Sequence, residues 1–134
     1  MTCRLYRVIQ PVEGIDRAAR FYSAVLETAG ERVSPGRHYF SCGGAILACY
    51  DPVADGDEMG SRWRHHANQY FYFATEDLEG ALDRVRKAGG EIEAPIETMP
   101  WGERMFYAKD PFGNPISFVD HGTLFIGAPA NAQT

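Results

Sequence analysis

Ile15-Asp16-Arg17-Ala18-Ala19-Arg20-Phe21-Tyr22, running on to Ala29-Gly30-Glu31, is echoed 63 residues later by Leu78-Glu79-Gly80-Ala81-Leu82, running on to Ala88-Gly89-Gly90-Glu91. Each stretch has an acidic residue just before or at its start, apolar side chains at i, i+3, i+4 and i+7, and an Ala-Gly stop before a short strand pattern. That is an amphipathic helix written twice. A repeat of this length divides the chain of 134 residues into two like modules.

Outward from the first helix, Leu5 to Val12 reads as a strand interrupted near Pro11, and the helix spans about Ile15 to Ala29 with Gly30 as its stop. Its apolar stripe of Ile15, Ala18, Ala19, Tyr22, Val25 and Leu26 faces a sheet, while Asp16, Arg17, Arg20 and Glu27 lie elsewhere. Three short strands follow, about Glu31 to Ser34, Arg37 to Cys42 and Ala45 to Tyr50, with Pro35-Gly36 and Gly43-Gly44 as turns. Asp51 to Gly60 is rich in Asp and Gly, has no periodicity, and reads as a linker. Module two repeats the order with a strand over Gln69 to Thr75, a helix over Leu78 to Ala88, and strands near Glu91 to Ile96, Arg104 to Lys109 and Pro115 to Asp120. The fold class is therefore α+β, two βαβββ modules over 5–50 and 68–120, joined by a linker over 51–67 within a single domain of 1–127. Residues 128–134 are small and polar and are expected to be a disordered tail. Neither module alone buries its sheet face, so two halves or two chains must pack together.

The charge balance narrows the partners. A net charge of -5 with no basic run argues against nucleic acid. No apolar stretch approaches the roughly 20 residues that cross a bilayer, and the N-terminus lacks a signal-peptide core, so no membrane partner and a cytoplasmic location are expected. Cys3, Cys42 and Cys49 have no metal-binding spacing and read as reduced packing residues. There is no Gly-x-Ser-x-Gly and no phosphate loop.

Trp101-Gly102-Glu103-Arg104-Met105-Phe106-Tyr107-Ala108-Lys109-Asp110-Pro111-Phe112-Gly113-Asn114 adds a second signal. Asp-Pro-x-Gly-Asn is turn chemistry in its own right, with Pro111 fixing φ and Gly113 and Asn114 tolerating left-handed backbone. Together with the duplicated order and Arg20-Phe21-Tyr22, this stretch resembles the glyoxalase, bleomycin-resistance and extradiol-dioxygenase superfamily, the vicinal oxygen chelate fold, from about Leu5 to Val119. The resemblance implies a cup-shaped, eight-stranded mixed sheet with a ligand inside it. It also implies, for the enzymes, a divalent metal held by His, Glu or Gln on the first and last strands of each module. Here those positions fall on Arg7, Tyr70, Ala48 or a near neighbour, and Ser117. None supplies such a ligand, and a guanidinium stays protonated, so no family-type metal and no cofactor is expected.

Without a metal, the cup offers shape, stacking and hydrogen bonding. Tyr70 and Tyr72 alternate onto one strand face, leaving Phe71 and Phe73 for the helices. Trp101, at a position resembling a drug-stacking tryptophan of the bleomycin-resistance group, joins Tyr39, Phe106, Ser117 and Arg7 as candidate lining. Arg7, if it points inward, requires an anionic partner, either an interior carboxylate or one on a ligand. The leading expectation is a metal-independent binding protein of the bleomycin-resistance-like branch, sequestering a small, partly aromatic molecule as a homodimer. Two alternatives remain at this point. One is a lyase or dioxygenase whose metal ligands are shifted onto His65, His66, Glu103 or His121. The other is a metal-free enzyme in which Arg7 and Tyr70 polarise a carbonyl.

Overall fold

The order expected from the repeat is found in full. A computed structural model describes residues 3–58 and 66–125; His65, part of the linker and the stretch 128–134 lie outside the described residues. Module one runs β1 (Arg7–Pro11), α1 (Ile15–Leu26), β2 (Glu31–Ser34), β3 (Arg37–Cys42) and β4 (Ala45–Tyr50). Module two runs β5 (Phe71–Thr75), α2 (Leu78–Lys87), β6 (Glu91–Thr98), β7 (Arg104–Lys109) and β8 (Pro115–Asp120), and ends in a 3-10 turn over His121–Thr123. The strands form two mixed four-stranded sheets, ordered β1-β4-β3-β2 and β5-β8-β7-β6. In each, the first strand sits at the edge and pairs in parallel with the last. No helix among the described residues is long and apolar enough to cross a membrane.

The boundaries move where local chemistry overrides periodicity. α1 ends at Leu26, short of Ala29, because Glu27 takes a left-handed conformation at φ 56°. Gly30 is thus four residues past the helix, where its φ of 65° and close packing both call for glycine: a Cβ there would stand 2.7 Å from the Phe40 ring and from the Tyr39 carbonyl. α2 is capped by Asp77, whose Oδ1 accepts from Gly80 N at 3.0 Å. α1 has Gly14 in that place and no side-chain cap; Gly14 N instead donates to Asp51 Oδ2 at 3.1 Å. The start of the linker is accordingly built into module one, where Asp55 accepts from Ser34 Oγ and pairs with Arg37.

One face of each helix buries Ile15, Ala18, Phe21, Tyr22 and Val25, or Leu78, Ala81 and Val85. Against them pack Phe40, Leu47 and Cys49 from the first sheet and Phe106, Ala108, Ile116 and Phe118 from the second, in one shared core. Phe21, absent from the expected stripe, is buried because α1 faces α2 as well as its own sheet.

At the seam lies a buried polar cluster. Tyr22 Oη donates to Asp110 Oδ2 at 2.6 Å and accepts from Gln10 Nε2 at 3.1 Å. Asn114 Nδ2 donates to the same Asp110 oxygen and to the Pro11 carbonyl, each at 2.7 Å. Asp110 Oδ1 accepts from the backbone N–H of Phe112 and of Asn114, each at 2.9 Å. The Asp-Pro-x-Gly-Asn segment therefore fastens module two to α1 and to the end of β1. Burial raises the Asp110 carboxyl above its ordinary pKa, and burial beside that carboxylate raises Tyr22 well above the usual phenol range.

Two substitutions test the seam in denaturant titrations. Tyr22→Phe removes one donor and should cost about 1 kcal/mol, whereas Asp110→Ala strands several buried donors and should cost about 3 kcal/mol or more. Equal costs would mean the network does not hold the modules together. Gly90→Ala should cost roughly 1–3 kcal/mol by overpacking, since its Cβ would lie 2.6 Å from Val85 Cγ1 and 3.1 Å from Phe21 Cε1.

Candidate functional site

β1 and β5 are both edge strands, and between the modules opens a cleft of about 740 Å³. Its walls are Leu5, Val8, Ile46 and Leu47 from module one, Phe71, Phe73 and Phe118 from module two, and Val25 and Leu26 at the end of α1. Tyr70 and Tyr72 line it, and Ser41, Cys42, Thr75, Arg84 and His121 add polar or polarisable edges. A volume of this size, mostly apolar with a few polar groups, is typical of small-molecule sites.

The sheet faces turned away from the helices carry most of the residues expected to line a cup. In sheet one, Ala48 pairs with Ile9 and with Tyr39, and Arg7 stands over the Tyr39 ring at 5.4 Å and the Tyr6 ring at 5.2 Å. In sheet two, Ser117 pairs with Tyr72 and with Tyr107. Tyr70 lies 6.3 Å from Tyr72 and 5.5 Å from Tyr107, centroid to centroid. Partial burial, then a hydrogen bond with Tyr107, push the Tyr72 phenol up to about 12, so it is neutral at ordinary pH.

Several expectations are rearranged. Phe106 is not at the lining: its side chain points to the helix layer, fully buried and stacked on Phe118 at 5.3 Å, because its neighbours Met105 and Tyr107 take the other strand face. Ser117 is buried, and its Oγ donates to the Phe106 carbonyl at 2.9 Å. Trp101 is half exposed, outside the cleft, and its Nε1 donates to Glu103 Oε1 at 2.7 Å. Arg7 is exposed and has rings for neighbours, with Nη1 3.5 Å from the Tyr39 hydroxyl, in place of an interior carboxylate. Of the named lining residues, only Tyr70 and Tyr72 reach the cleft. Its remaining walls were missed because nothing in a single strand's pattern shows that two edges from separate modules stand side by side.

Residues 4–118 match the family model of the Glyoxalase/Bleomycin resistance protein/Dioxygenase superfamily. The chain belongs to that superfamily. Solved structures agree on the fold. A glyoxalase-related enzyme from Fulvimarina pelagi aligns with TM-score 0.75 at 20% identity over 93% of both chains. A glyoxalase/bleomycin resistance protein from Albidiferax ferrireducens aligns with TM-score 0.72 at 18% identity, covering 87% of this chain and 97% of that one. A lactoylglutathione lyase from Agrobacterium tumefaciens aligns with TM-score 0.64 at 22% identity, covering 87% and 92%. None of the curated proteins matches.

Superfamily enzymes use a divalent metal, and the donors here do not fit one. Arg7 carries a cation to the first position, Ala48 has no donor, and the Ser117 hydroxyl is committed to a carbonyl. Among the described residues, the shifted set of His66, Glu103 and His121 does not converge either. His66 Nδ1 accepts from Asn68 N at 3.2 Å, and Glu103 spends both oxygens on Trp101 Nε1 and Phe125 N. His38 is held at both ring nitrogens: Arg32 Nε donates to Nδ1, so Nε2 carries the proton facing the Ala29 carbonyl at 2.9 Å. Among the described residues, no three His, Cys, Asp or Glu side chains form a metal-sized group.

Ring-labelled NMR titration checks the tyrosine cluster. Tyr72 should stay neutral past the pH at which an ordinary tyrosine ionises, and Tyr107→Phe should bring its titration down toward 10. An ordinary midpoint in the parent protein would mean the cluster is not packed as described.

Proposed function

We propose that this superfamily member is a metal-independent binding protein that holds a small, apolar, partly aromatic molecule in the cleft between its modules. The observation that carries the reading is the cleft itself, about 740 Å³ with apolar walls on both sides and two tyrosines at its edge. The two tyrosines offer flat rings for stacking and hydroxyls for orientation, and the raised Tyr72 phenol places no charge against an apolar ligand. The same proposal includes a homodimer, since Leu5, Tyr6, Ile9 and Tyr72 are each more than half exposed along the two edge strands, an apolar area that a second copy would cover. No bond is made or broken in this reading: the Cys42 thiol at the cleft edge is held toward its protonated form by burial, and its Sγ faces the Phe40 carbonyl.

The neutral, fluorescent N-phenyl-1-naphthylamine tests it. One probe per chain should bind saturably, equally well before and after chelator treatment. Occupancy should slow alkylation of Cys42, which lines the cleft half-buried, and leave exposed Cys3 unchanged. Tyr72→Ala should weaken binding about two- to tenfold, the range of an aromatic contact. Unprotected Cys42, or full-strength binding by Tyr72→Ala, would place the site elsewhere.

A further inference from the structure

Building on the cleft reading, we infer that the ligand carries a substituted ammonium headgroup, which rests on the rings of Tyr70, Tyr72 and Tyr107 beside the Glu103 carboxylate. The three rings share the face of the second sheet that is turned away from the helices. Tyr70 lies 6.3 Å from Tyr72 with ring planes inclined at 48°, and 5.5 Å from Tyr107 with planes inclined at 75°. Inclined rings leave π faces uncovered, whereas the parallel Phe106 and Phe118 cover each other's. Tyr72 is 55% exposed, and Tyr70 and Tyr107 are half-buried, so the cluster is open to solvent. Ser117, in register with both Tyr72 and Tyr107, is buried between their strands and donates its hydroxyl to the Phe106 carbonyl. The floor of the cluster therefore holds no free hydroxyl, and the rings decide what binds.

A ring face is the negative end of the aromatic quadrupole and attracts a cation. The chain uses several other rings in this way: Arg37 stands over Tyr50, Arg17 over Phe112, Arg7 over Tyr39, and Arg4 and Arg7 over Tyr6. Among the described residues, no arginine or lysine stands over Tyr70, Tyr72 or Tyr107. Glu103 adds a full negative charge, and it lies near enough to contribute to the raised Tyr72 phenol. Its oxygens accept from Trp101 Nε1 at 2.7 Å and Phe125 N at 2.9 Å, neutral donors that fix the carboxylate without cancelling its charge. The neighbouring Arg104 pairs with Glu79 and Asp120 instead. Both the rings and the carboxylate therefore favour a cationic head over an anionic one, in a chain whose net charge is already -5. Tyr70 and Tyr72 also line the cleft, so an apolar body held there brings its head to the cluster. A second copy over the edge strands would exclude water from that head, and a ring attracts a desolvated cation more strongly.

The probes are (2-naphthylmethyl)trimethylammonium, its neutral carbon isostere 2-neopentylnaphthalene and the anion 2-naphthylacetate, each read directly by equilibrium dialysis. The ammonium should bind about fivefold or more tighter than the isostere, with the anion weakest. Tyr107→Leu removes a ring that is not a cleft wall and should bring ammonium and isostere within about twofold of each other, whereas Tyr107→Phe keeps the ring and should keep the preference. Glu103→Gln removes the charge at nearly constant size and should cut the preference about two- to threefold at low salt, an effect that fades as salt is added. Thermal melts like the parent's show that the variants are folded. Equal binding of ammonium and isostere, tightest binding of the anion, or a preference that survives either Tyr107→Leu or Glu103→Gln in full would overturn the headgroup assignment, and saturable binding of N-phenyl-1-naphthylamine would leave the cleft reading standing. Loss of N-phenyl-1-naphthylamine binding with the ammonium preference kept would instead remove the cleft reading and leave the tyrosine cluster as a cation site on the open sheet.

Discussion

Asp110 is the point on which the two modules turn. Its carboxylate accepts two backbone N–H groups of its own turn, the Asn114 amide, and the Tyr22 hydroxyl from the other module. Each sheet has one helix to cover it and cannot form a closed core alone, so the helices and inner faces must meet. Hydrophobic burial supplies most of the attraction but is indifferent to register. The directional bonds at Tyr22, Asp110, Asn114 and the Pro11 carbonyl select one arrangement, and the buried carboxylate would be costly in any other.

That arrangement also produces the cleft. The seam fastens the end of β1 to the β7–β8 turn, and Arg84 of α2 reaches the end of α1, with Nε 3.3 Å from the Val25 carbonyl and an ion pair to Glu27 at 3.5 Å. Between these ties, the free edges of β1 and β5 are held near each other without a shared sheet. The opening is lined by residues from both modules, and its polar edges come from hairpins and helix ends. The polar network is thus at the seam, and the apolar walls are in the opening.

How much was legible follows from the range of each signal. The helix repeat, the turns at Gly43-Gly44 and Asp110 to Asn114, and the strand faces of Phe71 and Phe73 are local patterns with a period of 3.6 or 2, and they survive intact in the structure. Helix α1 was overestimated by three residues because an unfavourable left-handed Glu27 has no sequence signature. Phe106 was assigned to the lining, although the alternation through Met105 and Tyr107 sends it inward. Arg7, if inward-pointing, was expected to need an anionic partner, an interior carboxylate or one on a ligand; at an edge strand it is exposed and stands over the Tyr6 and Tyr39 rings.

By itself, the sequence determined the α+β class, the two βαβββ modules and the membership those patterns imply, because each rests on short-range periodicity and on turn residues with few conformational alternatives. It also put Arg7, Tyr70, Ser117 and Ala48 or a near neighbour at the positions where the family resemblance implies metal ligands, and residue identity alone decides their donor chemistry. Only the tertiary structure decided that Asp110 bonds across the modules and that two edge strands enclose a cleft. Those facts depend on contacts between residues tens of positions apart, and no local pattern encodes which faces meet once a chain of two similar halves has closed on itself.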